Sequence, residues 1–433
     1  MRIAFFCQYL MLVSLFSVVN AYAGDTKASG HAKGVGASSC ASSTCHGSVQ
    51  AWAGSNIQGN EYLIWSNLDK HHNSYASLNS NQAKKIMEKL GDAKPATQNT
   101  ACLSCHGPIA NIASEGVSCE SCHGNAQNWL ASHKTSSHGA NIKNGMTALN
   151  QSKTQASNCL ACHLGTEDRF VTHRMMAAGH PRLNFEIATF TALQPAHFHL
   201  DQDWRKRKGN YTPVQAWAIG QVIASQYILN NFSNPKVNHD GIFPELSLFD
   251  CHSCHRFISH KREEARWGIG PGRLHLNDSS LIVLRAIVSV VDPSHLAEFD
   301  KKIAYFYEKL SDEENSTAPS IHQSAEETAQ YLERFTTLFE KVSFDEKVLK
   351  KVLASIIESA NQRQFGDPSG AEQAYMAITN IASSLYQSGN LKATADVNTV
   401  LGAMRNTLSN DEQYQPEQFR HQLNQLKSIV VKE

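Results

Sequence analysis

The chain has 433 residues, and its 39 lysines and arginines balance its 39 aspartates and glutamates. The length suffices for two or three domains, and the balanced charge gives no indication of a nucleic-acid-binding protein, which usually carries a basic surface. Beyond the N-terminus, no stretch approaches the ~18 uninterrupted apolar residues needed to span a bilayer, so no transmembrane segment is expected.

The first 23 residues have the pattern of a secretory signal peptide. Arg2 precedes an apolar core at 10–19, and Ala21, Tyr22 and Ala23 provide a small-residue cleavage site. We therefore expect export, which in a bacterium means a periplasmic protein. Residues 24–37 are small and polar, and they predict a flexible N-terminal segment.

Ten of the eleven cysteines fall into five motifs in which a histidine directly follows the second cysteine. The motifs are Cys40, Cys45, His46 (motif 1); Cys102, Cys105, His106 (motif 2); Cys119, Cys122, His123 (motif 3); Cys159, Cys162, His163 (motif 4); and Cys251, Cys254, His255 (motif 5). Two residues separate the cysteines in motifs 2 to 5, and four separate them in motif 1. Two thiols at the shorter spacing can form thioethers with both vinyl groups of a haem, while the adjacent imidazole binds the iron. The sequence therefore predicts five haem c groups, each with its motif histidine as the proximal ligand.

Two other uses of these cysteines explain less of the pattern. Five disulfides are the ordinary expectation in an oxidising compartment, but they account for neither the regular gap nor the histidine. The spacing in motifs 2 and 3 also resembles that of a zinc ribbon. Zinc would again leave the histidine unused.

Residues 38–279 are predicted to form an irregular, haem-packed multihaem cytochrome domain. Short helical patches alternate with Gly, Pro, Ser and Asn clusters, and porphyrins would supply apolar bulk that side chains normally supply. Twelve histidines lie here outside the motifs: His71, His72, His133, His138, His173, His180, His197, His199, His239, His252, His260 and His275. This supply exceeds the five sixth positions on iron, so we expect mostly bis-histidine haems of low potential.

Residues 280–433 are predicted to form an α-helical bundle, which makes the fold class mainly α. An apolar helix over 281–291 should stop at Asp292 and Pro293. Apolar residues at three-and-four spacing predict further helices over 331–342, 348–357, 375–385 and 397–408. Turns are expected at 367–370 and 388–390, and short loops favour antiparallel neighbours.

Five segments over roughly 38 to 280 resemble the cytochrome c-554 and c-prime family of multihaem c-type cytochromes. They are SSCASSTCHGS, IWSNLDKHHNSYASL leading to TACLSCHGP, GVSCESCHGNAQNWLASH, VTHRMMAAGHPRLNFEIATF and FDCHSCHRFISHKREEARW. The resemblance implies a distal ligand at His72, with His71 as a near rival, and ligand or pocket roles for His173 and His180. His133 is a further candidate, and His138 completes the set of distal candidates.

Electron transfer through five haems is the predicted function, because five haems on so short a span must lie close together and the spare histidines would fill most sixth positions. The family does not share one activity, since its members include pure electron carriers and relatives of enzymes that act on nitrogen oxyanions or hydroxylamine. The alternative is a reductase or other oxidoreductase that acts on a small nitrogen or sulfur species at one open haem, with Arg174 and Arg182 near an anion. The expected partners are redox proteins such as a membrane quinol enzyme or a terminal reductase. The helical tail is predicted either to dock such a partner or to cover one face of the haem domain.

Overall fold

The computed structural model describes residues 33–55, 57–255, 266–270, 273–312, 315–391 and 395–430. The predicted signal peptide and most of the predicted flexible segment lie outside the described residues. Helices provide almost all of the regular structure of the described residues, which confirms the predicted mainly α fold class. Their only strands form a two-stranded antiparallel hairpin, β1 (His239–Asp240) and β2 (Phe243–Pro244).

The first half of the chain consists of short helices, as the sequence predicts. The α-helices are α1 (Glu61–Leu68), α2 (Ser74–Ser77), α3 (Asn81–Leu90), α4 (Thr100–His106), α5 (Cys119–His123), α6 (His138–Lys143), α7 (Ser152–His163), α8 (His173–Ala178), α9 (Ile187–Leu193) and α10 (Gln202–Lys208). Short 3-10 segments connect many of them: Ala37–Ser39, Lys70–Asn73, Ala96–Gln98, Ala110–Glu115, Ala126–Asn128, Ser132–Lys134, Leu246–Leu248 and Cys251–Ser253.

Motifs 2, 3 and 4 each occupy the last turn of a helix, with the histidine as the final helical residue. Residues three apart lie on the same face of a helix, so both thiols of a motif project from one side. Local capping fixes two of these helices. The Asn99 side chain accepts hydrogen bonds from the amides of Ala101 and Cys102, and Ser118 forms a capping box at the start of α5.

Helix α11 (Pro213–Ser233) is the central element of the second half, and the sequence analysis did not predict it. Thr212 caps its first turn and Pro213 occupies the first helical position, where the missing N–H costs nothing. Fifteen of its 21 residues are buried. It packs against α7 and α9 on one side and against the tail helices on the other, so it connects the motif-bearing part of the chain to the tail.

The tail forms the helices α12 (Ser279–Val291), α13 (Leu296–Ser311), α14 (Ala318–Phe339), α15 (Glu346–Asn361), α16 (Pro368–Gln387), α17 (Ala395–Thr407) and α18 (Pro416–Val430), with 3-10 turns at Pro293–His295 and Asp411–Gln413. The predicted stop at Asp292 and Pro293 is confirmed. The predicted turn at 367–370 is wrong, because Asp367 caps α16 and Pro368 begins it. Aspartate before proline is a helix start signal as well as a turn signal.

One large apolar core runs from Ala156 to Val430. It therefore crosses residue 280, where composition predicts a domain boundary, and the predicted bounds stay a prediction. Before residue 156 the described chain buries few apolar side chains together, chiefly the small cluster of Leu78, Met87 and Ala96. None of the described helices is both long and apolar enough to cross a membrane.

Candidate metal centres

Each motif histidine lies opposite one histidine from outside the motifs. The ring centroids are 6.2 Å apart for His46 and His133, 6.4 Å for His106 and His180, 6.1 Å for His123 and His197, 6.2 Å for His163 and His71, and 6.2 Å for His255 and His173. We call each motif with its facing histidine a centre, numbered 1 to 5 after the motifs. The chain thus brings together five pairs of imidazoles that are distant in sequence.

This spacing fits two axial ligands of one iron. A metal–imidazole bond is about 2 Å long, and the ring centre lies about 1.1 Å behind the bonding nitrogen, so two axial rings have centres about 6.3 Å apart. All five observed distances lie close to this value. The residues present therefore fit a haem iron held between two histidines at every motif.

Hydrogen bonds at Nδ1 orient several of these imidazoles. His71 Nδ1 donates to Asp69 Oδ1 at 2.9 Å, and His46 Nδ1 donates to Glu61 Oε2 at 3.1 Å. Backbone carbonyls accept from the Nδ1 atoms of His106, His133 and His180. Because Nδ1 carries the proton, Nε2 keeps its lone pair for a metal, which is the usual arrangement around metal-bound histidine.

Burial keeps several of the rings neutral. It lowers the pKa of His123 to about 4, with a smaller effect from the charge of His197, and it lowers the pKa of His163 to about 4. The pKa values of His180 and His197 are also lowered, mainly by burial. Only neutral imidazole can bind iron, so these rings are in their binding form at neutral pH.

Three of the five predicted distal candidates, His133, His173 and His180, face a motif histidine. His138 does not, although it lies near centre 3, where its charge lowers the pKa of His123. Its Nε2 is 3.1 Å from Asn150 Oδ1. The ring facing His123 is His197, which the sequence analysis counted among the spare histidines without assigning it a role. No spacing rule separates it from its neighbour His199.

His71 and His72 illustrate how the fold chooses between adjacent residues. Both lie in the turn Lys70–Asn73, and consecutive residues of such a tight turn project in different directions. Asp69 accepts hydrogen bonds from the backbone amide and the ring of His71, and this ring faces motif 4. The ring of His72 instead packs edge-on against Trp65, with centroids 4.5 Å apart. The geometry therefore favours the rival that the resemblance ranked second.

The thiols of different motifs also lie close together. A hydrogen bond between Cys40 and Cys119 lowers the pKa of Cys40 to about 7 and raises that of Cys119 above its ordinary value. A second such bond, from Cys105, lowers the pKa of Cys162 to about 6. Burial, with smaller effects from the charges of Asp69 and Cys162, raises the pKa of Cys122 to about 11. Motif 1 therefore adjoins motif 3, motif 2 adjoins motif 4, and motif 3 lies near motif 4.

Paired thiols, adjacent histidines and a second imidazole opposite each of them are the arrangement found in c-type cytochromes, which bind haem c covalently and transfer electrons to redox partners. Residues 39–124, which contain motifs 1 to 3, match the family model described as cytochrome c554 and c-prime. This match confirms the resemblance over that part of the chain. Comparisons with curated proteins and with solved structures found no match.

Proposed function

We propose that this protein is a periplasmic electron carrier with five covalently bound haem c groups, each held between two histidines. The ten motif cysteines provide the thioether bonds. The motif histidines bind iron on one side, and His133, His180, His197, His71 and His173 bind it on the other side in centres 1 to 5. Bound haem supplies a one-electron couple at its iron, and the chain sets the potential through the ligands and their hydrogen bonds.

The pairing of every motif histidine with a second imidazole carries this proposal. An iron with two histidine ligands has no open position for a substrate, and so it functions in electron transfer. The alternative, a reductase, needs at least one motif histidine without a partner. Of the two arginines that the alternative places near an anion, Arg182 is paired with Asp411 and Glu372, and Arg174 donates one hydrogen bond to the Leu90 carbonyl.

The contacts between motifs support one order of centres, 1–3–4–2–5. Cys40 neighbours Cys119, so centres 1 and 3 are adjacent, and Cys105 neighbours Cys162, so centres 2 and 4 are adjacent. Centres 3 and 4 adjoin, because, beyond the larger effect of burial, the charge of Cys122 raises the pKa of Cys159 and the charge of Cys162 raises the pKa of Cys122. Centres 2 and 5 share α8, because His173 begins this helix and His180 follows its end. The order in which electrons would pass through the centres thus differs from the order of the motifs in the sequence.

Centre 5 is the preferred site of exchange with a redox partner. Cys251 and Cys254 are exposed, whereas the other eight motif cysteines are partly buried, and His255 is exposed as well. A centre at one end of the order and open to solvent can approach a partner closely. Redox partners of a periplasmic carrier include membrane quinol enzymes and terminal reductases, as the sequence analysis expects.

Adjacent-histidine variants test the proposed ligands. His71→Ala should convert centre 4 to a high-spin form that binds carbon monoxide when reduced, because one axial ligand is lost. His72→Ala is the matched control, since His72 lies in the same turn but packs on Trp65. His197→Ala and His138→Ala form a second such pair at centre 3. Electron paramagnetic resonance and carbon monoxide binding to the reduced protein report the outcome.

Intact mass and iron content of the mature protein establish the cofactor number, and five haems per chain are expected. Wild-type protein that is substantially high-spin, or that shifts its Soret band with nitrite, hydroxylamine or sulfite, would contradict the carrier function. A high-spin form in the His72→Ala or His138→Ala variant, with none in its partner variant, would overturn the proposed ligand assignment.

A further inference from the structure

The segment that follows His180 is bound by the helical tail through several polar contacts. Arg182 donates from Nε to Asp411 Oδ2 at 2.7 Å and from Nη2 to Glu372 Oε2 at 2.7 Å. Asn184 also donates to Glu372, and Gln373 donates to the carbonyl of Phe185 at 3.0 Å. Two elements of the tail, α16 and the turn at Asp411–Gln413, thus bind residues 182–185, which begin only two residues after a facing histidine. We call this segment the strap.

The ion pairs in this cluster are partly shielded from water. The Arg182 side chain is 23% exposed and that of Glu372 is 19% exposed. Burial works against the charged form of Arg182, but the bonds to Asp411 and Glu372 outweigh it and raise the pKa above its ordinary value. Bidentate contacts between guanidinium and carboxylate fix direction as well as distance, so the cluster can hold the strap in one position.

The same turn of the tail contacts motif 5. His252 lies between the two cysteines of this motif, and its Nε2 donates to the backbone carbonyl of Asp411 at 2.7 Å. Asp411 therefore contacts the strap after His180 with its side chain and motif 5 with its backbone. Asp411 is thus a tail residue that contacts both centre 5 and the strap beside centre 2.

We propose that the helical tail is a positioning scaffold for centres 2 and 5, acting through Arg182, Glu372 and Asp411 on His180 and through the Asp411 carbonyl on motif 5. This inference rests on the proposed bis-histidine ligation. None of these residues binds iron. They are positioning residues that hold the His180 imidazole at the distance at which it can bind iron and that fix the position of motif 5.

Selective variants test the two contacts separately. Arg182→Gln removes the ion pairs, and Asp411→Asn weakens them while keeping the backbone carbonyl that binds His252. His252→Ala removes the contact with motif 5 alone. Asp300→Asn is the matched control, because Asp300 forms a comparable bidentate pair with Arg285, at 2.7 Å for both bonds, between α12 and α13.

The signals of the two centres can be separated. The facing rings of centre 2 are nearly perpendicular, at 87°, and those of centre 5 are inclined by 33°. We expect Arg182→Gln and Asp411→Asn to change the low-spin signal of centre 2 and to raise its rate of carbon monoxide binding in the reduced protein about tenfold or more. His252→Ala should change the signal of centre 5. Asp300→Asn should change neither.

The readouts distinguish the possible failures. Circular dichroism and the haem count identify folded, fully loaded variants, and Asp411→Asn carries the test of centre 2 if Arg182→Gln does not fold. Unchanged signals and rates in folded variants would overturn the positioning role while leaving the carrier function intact. Equal changes in Asp300→Asn would also overturn it. A wild-type protein without bis-histidine signals would instead refute the proposed function on which this inference rests.

Discussion

The hydrogen bond between Asp69 and His71 gives the sharpest prediction about redox tuning. Asp69 Oδ1 accepts from the His71 ring at 2.9 Å, and its Oδ2 accepts from Gln194 Nε2 at 2.8 Å. The Asp69 side chain is only 7% exposed. Burial alone would raise the pKa of Asp69, but the bonds from His71 and Gln194 outweigh it and hold the pKa below its ordinary value. The Asp69 carboxylate is therefore charged at neutral pH, where it accepts the hydrogen bond from the His71 ring.

We predict that Asp69→Asn raises the midpoint potential of centre 4. An imidazole bonded to a carboxylate is a more basic ligand, and it stabilises oxidised iron more than reduced iron. Loss of such a supporting contact typically costs 10-fold to 100-fold in metal affinity, which corresponds to about 1.4–2.8 kcal/mol. For a one-electron couple, at about 59 mV per factor of ten, the potential should rise by at most about 60–120 mV, the limit in which only the oxidised iron loses affinity. The other four centres should keep their potentials.

A potentiometric titration followed by electron paramagnetic resonance measures this shift. The chain offers a close control in Asp292, which accepts from the ring of His295 at 2.8 Å in the tail, away from every motif. His71 and His295 have similar side-chain exposure, 37% and 39%. Asp292→Asn therefore breaks an equivalent pair and should leave all five potentials unchanged.

Two results would refute the reasoning. One is an Asp69→Asn protein with every potential equal to that of the wild type, which would mean that His71 does not bind iron. The other is the same shift in Asp292→Asn, which would mean that the effect comes from overall charge.

Two further predictions follow from the geometry. The planes of the facing rings are inclined by 23° and 33° in centres 1 and 5 but by 78–87° in centres 2, 3 and 4. Because the inclination between axial ligands sets the splitting of the iron d orbitals, electron paramagnetic resonance spectra should contain two rhombic and three strongly anisotropic low-spin signals. A single class of low-spin signal would contradict the five pairs. Burial, with the charge of Asp367, raises the pKa of Asp250 to about 7, although Arg266 opposes this shift and Asp278 adds to it. The folded state then holds a proton that the unfolded state releases above its ordinary carboxyl pKa, so the free energy of unfolding should fall by up to about 4 kcal/mol as pH rises to 7. Urea unfolding at several pH values should show the free energy of unfolding falling with pH in the wild type and falling less steeply in Asp250→Asn. An equal dependence on pH in both proteins would exclude Asp250 as the cause.

Local patterns in the sequence predict the features that depend on nearby residues. A motif of two thiols and a histidine is contained within one or two turns of chain, so its chemistry can be read directly. Apolar stripes predict tail helices such as α12 and α15, because residues three and four apart share a helix face. The same approach missed α11, whose buried residues lie on all sides. A helix that is apolar all round has no stripe to detect.

The sequence by itself predicted the attachment motifs and their proximal histidines and established the helical class of the tail, since each of these rests on contacts within a few residues. Tertiary structure alone decided which histidine faces which motif. His46 and His133 are brought together across 87 positions, and Asp69 orients His71 rather than His72 towards motif 4. Such pairing depends on how distant segments cross in space, and a count of available histidines carries no information about that crossing.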